Sequence, residues 1–360
     1  MHTIVIADHG FITHERSLTH RLLVGLADEG IRVRCAIPRS LLESIELDVI
    51  TEVVGYEDRG LMLSRSARVT RLLNELRALD PDSPPIDLVH IFGGSAWGFG
   101  VELARRTDAV AVLEVWRPGL VERARALRSG DARVAFFAPA PGIERALLRE
   151  GAGLLVRLTP WGVHIPKSPH PILREDRVAS VMLAGSGRSA AEFSAAFQGA
   201  CDVIAQRDDT MLFVDADAAL RAGLWKHARA KGVLDRLSLI DAAEERRDLV
   251  VRADILLYPD CRGEQRTLLL DAMANGMAII ANADPMVAAL VPDQTARVLT
   301  DPSPETWQAE LQHMLDFPDE ARALGRSARE RVRNEFPASK HIRAVIEAYE
   351  WLTNPSVIPF

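Results

Sequence analysis

The sequence predicts an α/β chain built from two doubly wound, Rossmann-like domains, each a parallel sheet with helices on both faces. Three observations predict it. Short apolar, β-branched runs alternate with amphipathic helical segments along the whole chain. A length of 360 residues is long for one core and suits two. A polar, proline-rich stretch, His164-Ile-Pro-Lys-Ser-Pro-His-Pro171, lies near the middle and has the composition of an interdomain linker.

The bulk chemistry narrows the function. Hydrophobic residues make up 48% and charged residues 26%, ordinary values for a globular protein. A net charge of −7 argues against coating nucleic acid. Cys35, Cys201 and Cys261 are few, odd in number and widely spaced. They point to a reducing compartment, the cytoplasm, with neither a disulfide framework nor a metal site. The first residues enter a strand directly, so no signal peptide is expected. No apolar run approaches the ~18 residues of a membrane span. The only lysines are Lys167, Lys226, Lys231 and Lys340, so a phosphate clamp would be made of arginine or backbone N–H.

Taken in order, His2–Ala7 reads as a buried strand, residues 8–11 as a loop and residues 14–29 as a helix with Leu18, Leu22, Leu23 and Leu26 on its apolar stripe. Gly30 ends that helix and a strand follows over 31–37. Asp8, His9 and Gly10 therefore sit outside a carboxyl strand end, where ligands bind in doubly wound sheets. For His9, an ordinary exposed histidine outweighs a catalytic one. Arg65–Leu79 is a basic amphipathic helix with Val69, Leu72, Leu73 and Leu76 on one face. Peripheral membrane contact stays open for it, but Glu75 interrupts the basic face and favours packing on the sheet. A strand over 87–91 leads to Gly93-Gly94-Ser95, which opens a helix near Ala96 and makes an anion-competent helix start. Strands over 110–115, with Glu114 near the end, 134–137 and 154–158 complete the first half, with a helix from Pro141.

The second half repeats the pattern. A strand over 178–184 runs into Gly185-Ser186-Gly187-Arg188 and a helix over 190–206. Gly-x-Gly-x-x-Ala here fits a dinucleotide fingerprint loosely, without the acid expected about 20 residues on. Strands over 211–214 and 237–240, helices over 218–231 and 244–251, and Asp215-x-Asp217, read as coincidence rather than a metal motif, come next. The stretch from Tyr258 to Ala281 then reads as strand end, polar loop, helix, tight turn and buried strand. Its loop carries four charges, Asp260, Arg262, Glu264 and Arg266. A helix from Thr267 ends at Asn275-Gly276. Such a loop offers backbone N–H groups and a positive helix end to an anion. Asp271, one turn in, can reach hydroxyls such as those of a ribose. A strand over 296–299 and helices over 304–317, 318–336 and 339–352 close the chain.

Pro259, eleven residues, then Asp271-Ala-Met-Ala-Asn-Gly276 resembles the nucleotide-sugar loop of family-4-type glycosyltransferases. Thr159-Pro-Trp-Gly-Val163, Leu324-Gly325-x-x-Ala328-Arg329 and the order of elements resemble the same family. The resemblance implies a GT-B fold, with two doubly wound Rossmann-like domains facing a central cleft. It divides the chain into an acceptor-side domain over 1–168, a nucleotide-sugar domain over 169–337, and a C-terminal helix over 338–360 that packs back on the first. The implied activity is transfer of a sugar from a nucleoside-diphosphate sugar to an unknown sugar, lipid or small-molecule acceptor, with retention and without a cofactor or metal. Asp271 would bind ribose. Gly185, Gly187, Arg188 and the Gln265-Arg266-Thr267 segment would hold the diphosphate. Glu264 would contact the sugar, with Arg188 and Glu264 as the catalytic pair and Asp8, His9, Gly10 and Glu114 on the acceptor side.

Several positions depart from the family pattern. The first acidic position of the loop falls on Gly263, with Glu264 one residue late. A lysine expected near Ala190 is absent, and so is a histidine after the 110–115 strand. The alternatives are a non-catalytic GT-B protein that binds a nucleotide sugar or a partner protein, a sugar-nucleotide epimerase, and an NAD-linked enzyme.

Overall fold

The computed structural model describes residues 1–43, 51–59, 64–127, 133–150, 154–185, 188–222, 224–240, 248–260 and 262–354. Contacts divide it into two units, Met1–Trp161 with Ala338–Phe360, and Gly162–Pro337.

In the first unit, seven strands form one sheet: β1 (His2–Ala7), β2 (Arg32–Pro38), β3 (Val53–Tyr56), β4 (Leu88–Phe92), β5 (Val110–Glu114), β6 (Val134–Ala138) and β7 (Leu155–Leu158). Their order is β3-β2-β1-β4-β5-β6-β7, and every pairing is parallel. The central strands are buried on both faces, which explains their continuous rather than alternating apolar sequences. Helices α1 (His9–Asp28), α2 (Arg65–Leu79), α3 (Trp97–Thr107), α4 (Pro118–Ala126) and α5 (Pro141–Glu150) connect them. The order reverses between β1 and β4, the switch point at which such sheets take ligands.

Two expectations change here. Residues 8–11 are not a loop. Asp8 is the N-cap of α1 and accepts from Phe11 N at 2.8 Å, so the helix starts at His9, with a kink at Glu15. The apolar face of α2, Val69, Leu72 and Leu76, is buried in the unit. That face is not available to a membrane.

The second unit repeats the plan with β8 (Ala179–Leu183), β9 (Thr210–Asp215), β10 (Leu237–Ile240), β11 (Ile255–Tyr258), β12 (Ala278–Asn282) and β13 (Arg297–Leu299). The order is β10-β9-β8-β11-β12-β13, again all parallel, with the reversal between β8 and β11. Its helices are α6 (Ala190–Ile204), α7 (Ala216–Ala222), α8 (Trp225–Lys231), α9 (Thr267–Ala274), α10 (Pro304–Asp316) and α11 (Pro318–Glu335). Two apolar clusters flank the sheet, one built on Phe193, Phe197 and Trp307, the other on Tyr258, Met273 and Met277. The helix expected over 218–231 is two helices, α7 and α8. Most of the helix expected over 244–251, with Asp241, lies outside the described residues, as do Cys261, Ser186 and Gly187.

The chain leaves the first unit after Trp161, earlier than the division expected at 168/169. Val163 already belongs to the second unit, where it bridges Pro337. A final helix, α12 (Ala338–Thr353), belongs to the first unit and lies against α1, where Ile342 fills the space a side chain at Gly25 would need. No helix among the described residues is long and apolar enough to cross a membrane.

Candidate active site

In the second unit the switch point joins the loop after β8 to the loop after β11. Asp260, buried to 1% exposure, sends its carboxylate across the gap. Its Oδ2 accepts from Arg188 N at 2.9 Å and Ser189 N at 3.5 Å. Gly185 makes room for it: a Cβ there would stand 1.9 Å from Asp260 Oδ1. The glycine at 185 is therefore explained by an internal carboxylate. Sequence reasoning passed over Asp260, because an acid after a strand end reads as a solvated loop charge.

The two residues proposed as catalytic meet. Glu264, 3% exposed, has Oε1 at 3.0 Å from Arg188 Nη1, and its Oε2 accepts from Arg266 Nη2 at 3.1 Å. One buried carboxylate thus sits between guanidiniums carried by two different loops. The Arg188 side chain is 44% exposed and brings that end of the cluster to solvent, whereas Arg266, 14% exposed, is largely buried. Gln265 braces the loop, its Nε2 donating to Gly263 O at 3.3 Å and Met286 O at 3.1 Å. Asp284, a second residue missed from the sequence, accepts from Gly263 N and from Met286 N. It fixes the turn at Arg262 and Gly263, which both have positive φ.

Arg266 is the N-cap residue of α9 and its side chain makes no cap bond. Thr267, buried, is the first helical residue. Asp271 lies one turn further on and is half-buried. Asn275 closes the helix, and Gly276 takes φ +80°. The turn is gripped by α11, where Gly325 approaches so closely that a Cβ would lie 2.1 Å from Gly276 O. Arg329 of the same helix donates to Ala274 O. The structure thus gathers Gly185, Arg188, Glu264 and Arg266 around one switch point and places Gln265, Thr267 and Asp271 on the adjoining loop and helix. Gly187 lies outside the described residues.

The first unit closes its switch point in the same way. Asp8 Oδ2 accepts from Ser95 N at 3.0 Å and Ser95 Oγ at 2.7 Å. A Cβ at Gly93 would stand 2.0 Å from the Asp8 carboxyl carbon. Asp8 is thus occupied in joining the loops after β1 and β4. His9 and Gly10 are exposed in the first turn of α1.

Glu114 is 1% exposed and belongs to a buried polar chain. Its Oε1 accepts from Trp161 Nε1 at 2.6 Å. Its Oε2 lies 3.1 Å from His90 Nε2, and His90 Nδ1 lies 2.6 Å from the Tyr349 hydroxyl. Burial pushes the Glu114 carboxyl up to about 8 and His90 down to about 3. The pair is therefore neutral at pH 7. A protonated Glu114 can donate from Oε2 to His90 Nε2, which leaves His90 Nδ1–H to donate to the Tyr349 hydroxyl. Glu114 is buried inside the unit, where its polar chain links β4, β5 and α12. Among the described residues no group of histidine, cysteine and acidic side chains could hold a metal ion.

No family model and no curated protein sequence matches the chain. Solved structures do match, over nearly full length. They include sucrose-phosphate synthase from Thermosynechococcus elongatus, with TM-score 0.74, 16% identity and coverage of 98% of this chain and 99% of that one. A glycosyltransferase from Rickettsia africae has TM-score 0.75, 13% identity and coverage of 98% and 99%. Anabaena HepE in complex with UDP and glucose has TM-score 0.75, 12% identity and coverage of 97% and 99%. The fold is GT-B. At these identities the likeness carries the GT-B architecture of two Rossmann-like units and leaves the chemistry to the side chains described above.

Proposed function

We propose that this chain is a retaining glycosyltransferase of the family-4 type, which moves a sugar from a nucleoside-diphosphate sugar to an acceptor hydroxyl. The observation that carries the reading is the Arg188–Glu264–Arg266 cluster at the second unit's switch point, beside the start of α9. Two guanidiniums from separate loops form a fork that suits the two phosphates of a leaving diphosphate. HepE, which shares the fold, has been seen with UDP and glucose.

In this reading the bond from the sugar's anomeric carbon to the diphosphate oxygen breaks, and both electrons leave with the diphosphate. Arg188 and Arg266 stabilise that charge. The acceptor hydroxyl attacks from the same face and gives its proton to a donor phosphate oxygen, so no enzymatic nucleophile is needed. Glu264 orients the sugar hydroxyls, and Asp271 takes the ribose. Asp260 already occupies the N–H of Arg188, so more of the work of neutralising phosphate falls on the guanidiniums. That suits a chain with few lysines. The buried free thiols Cys35 and Cys201 suit the reducing cytoplasm.

Turnover of a panel of nucleotide sugars, followed by release of nucleoside diphosphate, tests the assignment. Glu264→Gln is expected to lower kcat about 100-fold or more while donor affinity stays within a few-fold, and Arg188→Ala to lower kcat by a similar factor and weaken donor binding with it. Unchanged turnover in both variants would sink the catalytic assignment, and donor binding without turnover in the native protein would make it a binder.

A further inference from the structure

The first unit has a cavity of 170 Å³ beside the Asp8–Ser95 contact. It is lined by Tyr56 from the end of β3, Asp58 after it, Arg65 and Arg68 from the first turn of α2, Ser95, Gly98 and Phe99 at the start of α3, and Arg123 from α4. The apolar side is a stacked pair, Tyr56 on Phe99 at 4.8 Å. The polar side is arginine.

Those arginines differ from their neighbours. Arg71 is paired with Glu57, Arg39 with Glu75, and Arg106 with Glu102. By contrast, no ion pair or hydrogen bond engages Arg65 or Arg123 among the described residues. Arg123 lies over the Trp97 ring, 5.6 Å from its centroid. Arg68 spends one Nη1 on Glu57 O at 2.7 Å, and its buried Nε has no partner among the described residues.

Two glycines one helical turn apart let these side chains lie close to the backbone. The Arg65 guanidinium rests on Gly98, where a Cβ would come within 3.0 Å of its central carbon. At Gly94 a Cβ would meet Leu120 at 2.6 Å and Arg123 Nη1 at 3.4 Å. Three guanidiniums against the single carboxylate of Asp58 leave the lining two charges positive. That matches a phosphate monoester, close to a dianion at pH 7, better than a carboxylate.

We propose that this cavity is a binding site for the phosphoryl group of a small phosphate monoester, held by Arg65, Arg68 and Arg123, with the attached carbons against Tyr56 and Phe99. Assigning that phosphate to the acceptor rests on the transfer reading above. The binding itself does not.

The experiment is titration of the full-length protein with inorganic phosphate, then with glycerol phosphate against glycerol, at ionic strength held constant with sodium chloride. Saturable phosphate binding is expected, with glycerol phosphate binding and glycerol not. The affinity should fall about tenfold in Arg65→Gln and in Arg123→Gln, and further in the double variant. Arg71→Gln, outside the cavity, should bind as the native protein does. Nucleoside-diphosphate binding should survive in the double variant, which separates this site from the donor loop. Absence of saturable phosphate binding, or unchanged affinity in a folded double variant, overturns the proposal. If the double variant does not fold, the single variants decide on the same criterion.

Discussion

A carboxyl group and an imidazole sealed together at the first unit's core are more stable neutral than ionised, and this gives Glu114 a measurable signature. The folded state keeps the Glu114 proton to about pH 8, whereas the unfolded chain gives it up near 4.5. Unfolding therefore releases a proton across that window, and stability falls as pH rises through it. His90 and His341, both held down to about 3, act oppositely. The unfolded chain takes up protons below 6.5 that the folded state refuses, so stability falls as pH drops from 6.5 towards 3. Between pH 6.5 and 8, among these three groups, only the Glu114 effect operates. Thermal unfolding of the native protein should show a decline across that interval worth about 2 kcal/mol. Glu114→Gln copies the protonated acid, accepting from Trp161 and donating to His90, and should lose the decline. An identical decline in the variant would refute the neutral pair. The sequence drew attention to Glu114 but assigned it to an acceptor surface, because burial and partners such as Trp161 and Tyr349 are distant in the chain.

Between elements, the decisive contacts are made where backbones meet without side chains. Gly325 of α11 lies against Gly276 O, and neither backbone can retreat without moving α9. Gly325→Ala should cost about 1–3 kcal/mol of stability, read as a fall in denaturation midpoint. Gly10→Ala should be neutral or better, since a Cβ there meets nothing nearer than 3.8 Å and sits in a helix. Equal effects at the two positions would contradict this packing account. Long amphipathic segments were legible in the sequence: α2 spans Arg65–Leu79 as its periodicity predicts. Short elements were not. Val53–Tyr56 gives four residues of β3, too few to show a period, and Gly55 in its midst reads as a breaker. Its glycine instead sits against the backbone after β2, where a Cβ would come within 3.2 Å of the Arg39 Cα. The start of α1 was misplaced because Asp8-His9-Gly10 looks like a turn until the Asp8 carboxylate is found capping it.

For the whole molecule, two sheets that share one strand order over six strands and reverse at the same point, the first with a seventh strand added, explain why the fold was readable while the site was not. Alternating buried strands and helices fix the sheet order through right-handed crossovers, and no particular side chain is needed for that. The site depends instead on single carboxylates, Asp8 and Asp260, each closing its own switch point against a glycine. Periodicity carries no trace of such contacts. What it left legible was the helix start at Thr267 and the acid at Asp271, which the proposed donor site uses beside the Arg188–Glu264–Arg266 cluster. The most direct test is calorimetric titration of the full chain with a set of nucleoside diphosphates, in the native protein and in Asp271→Ala. The account predicts saturable binding of at least one of them and its loss in the variant. Binding of none, or equal binding by both proteins, would contradict it.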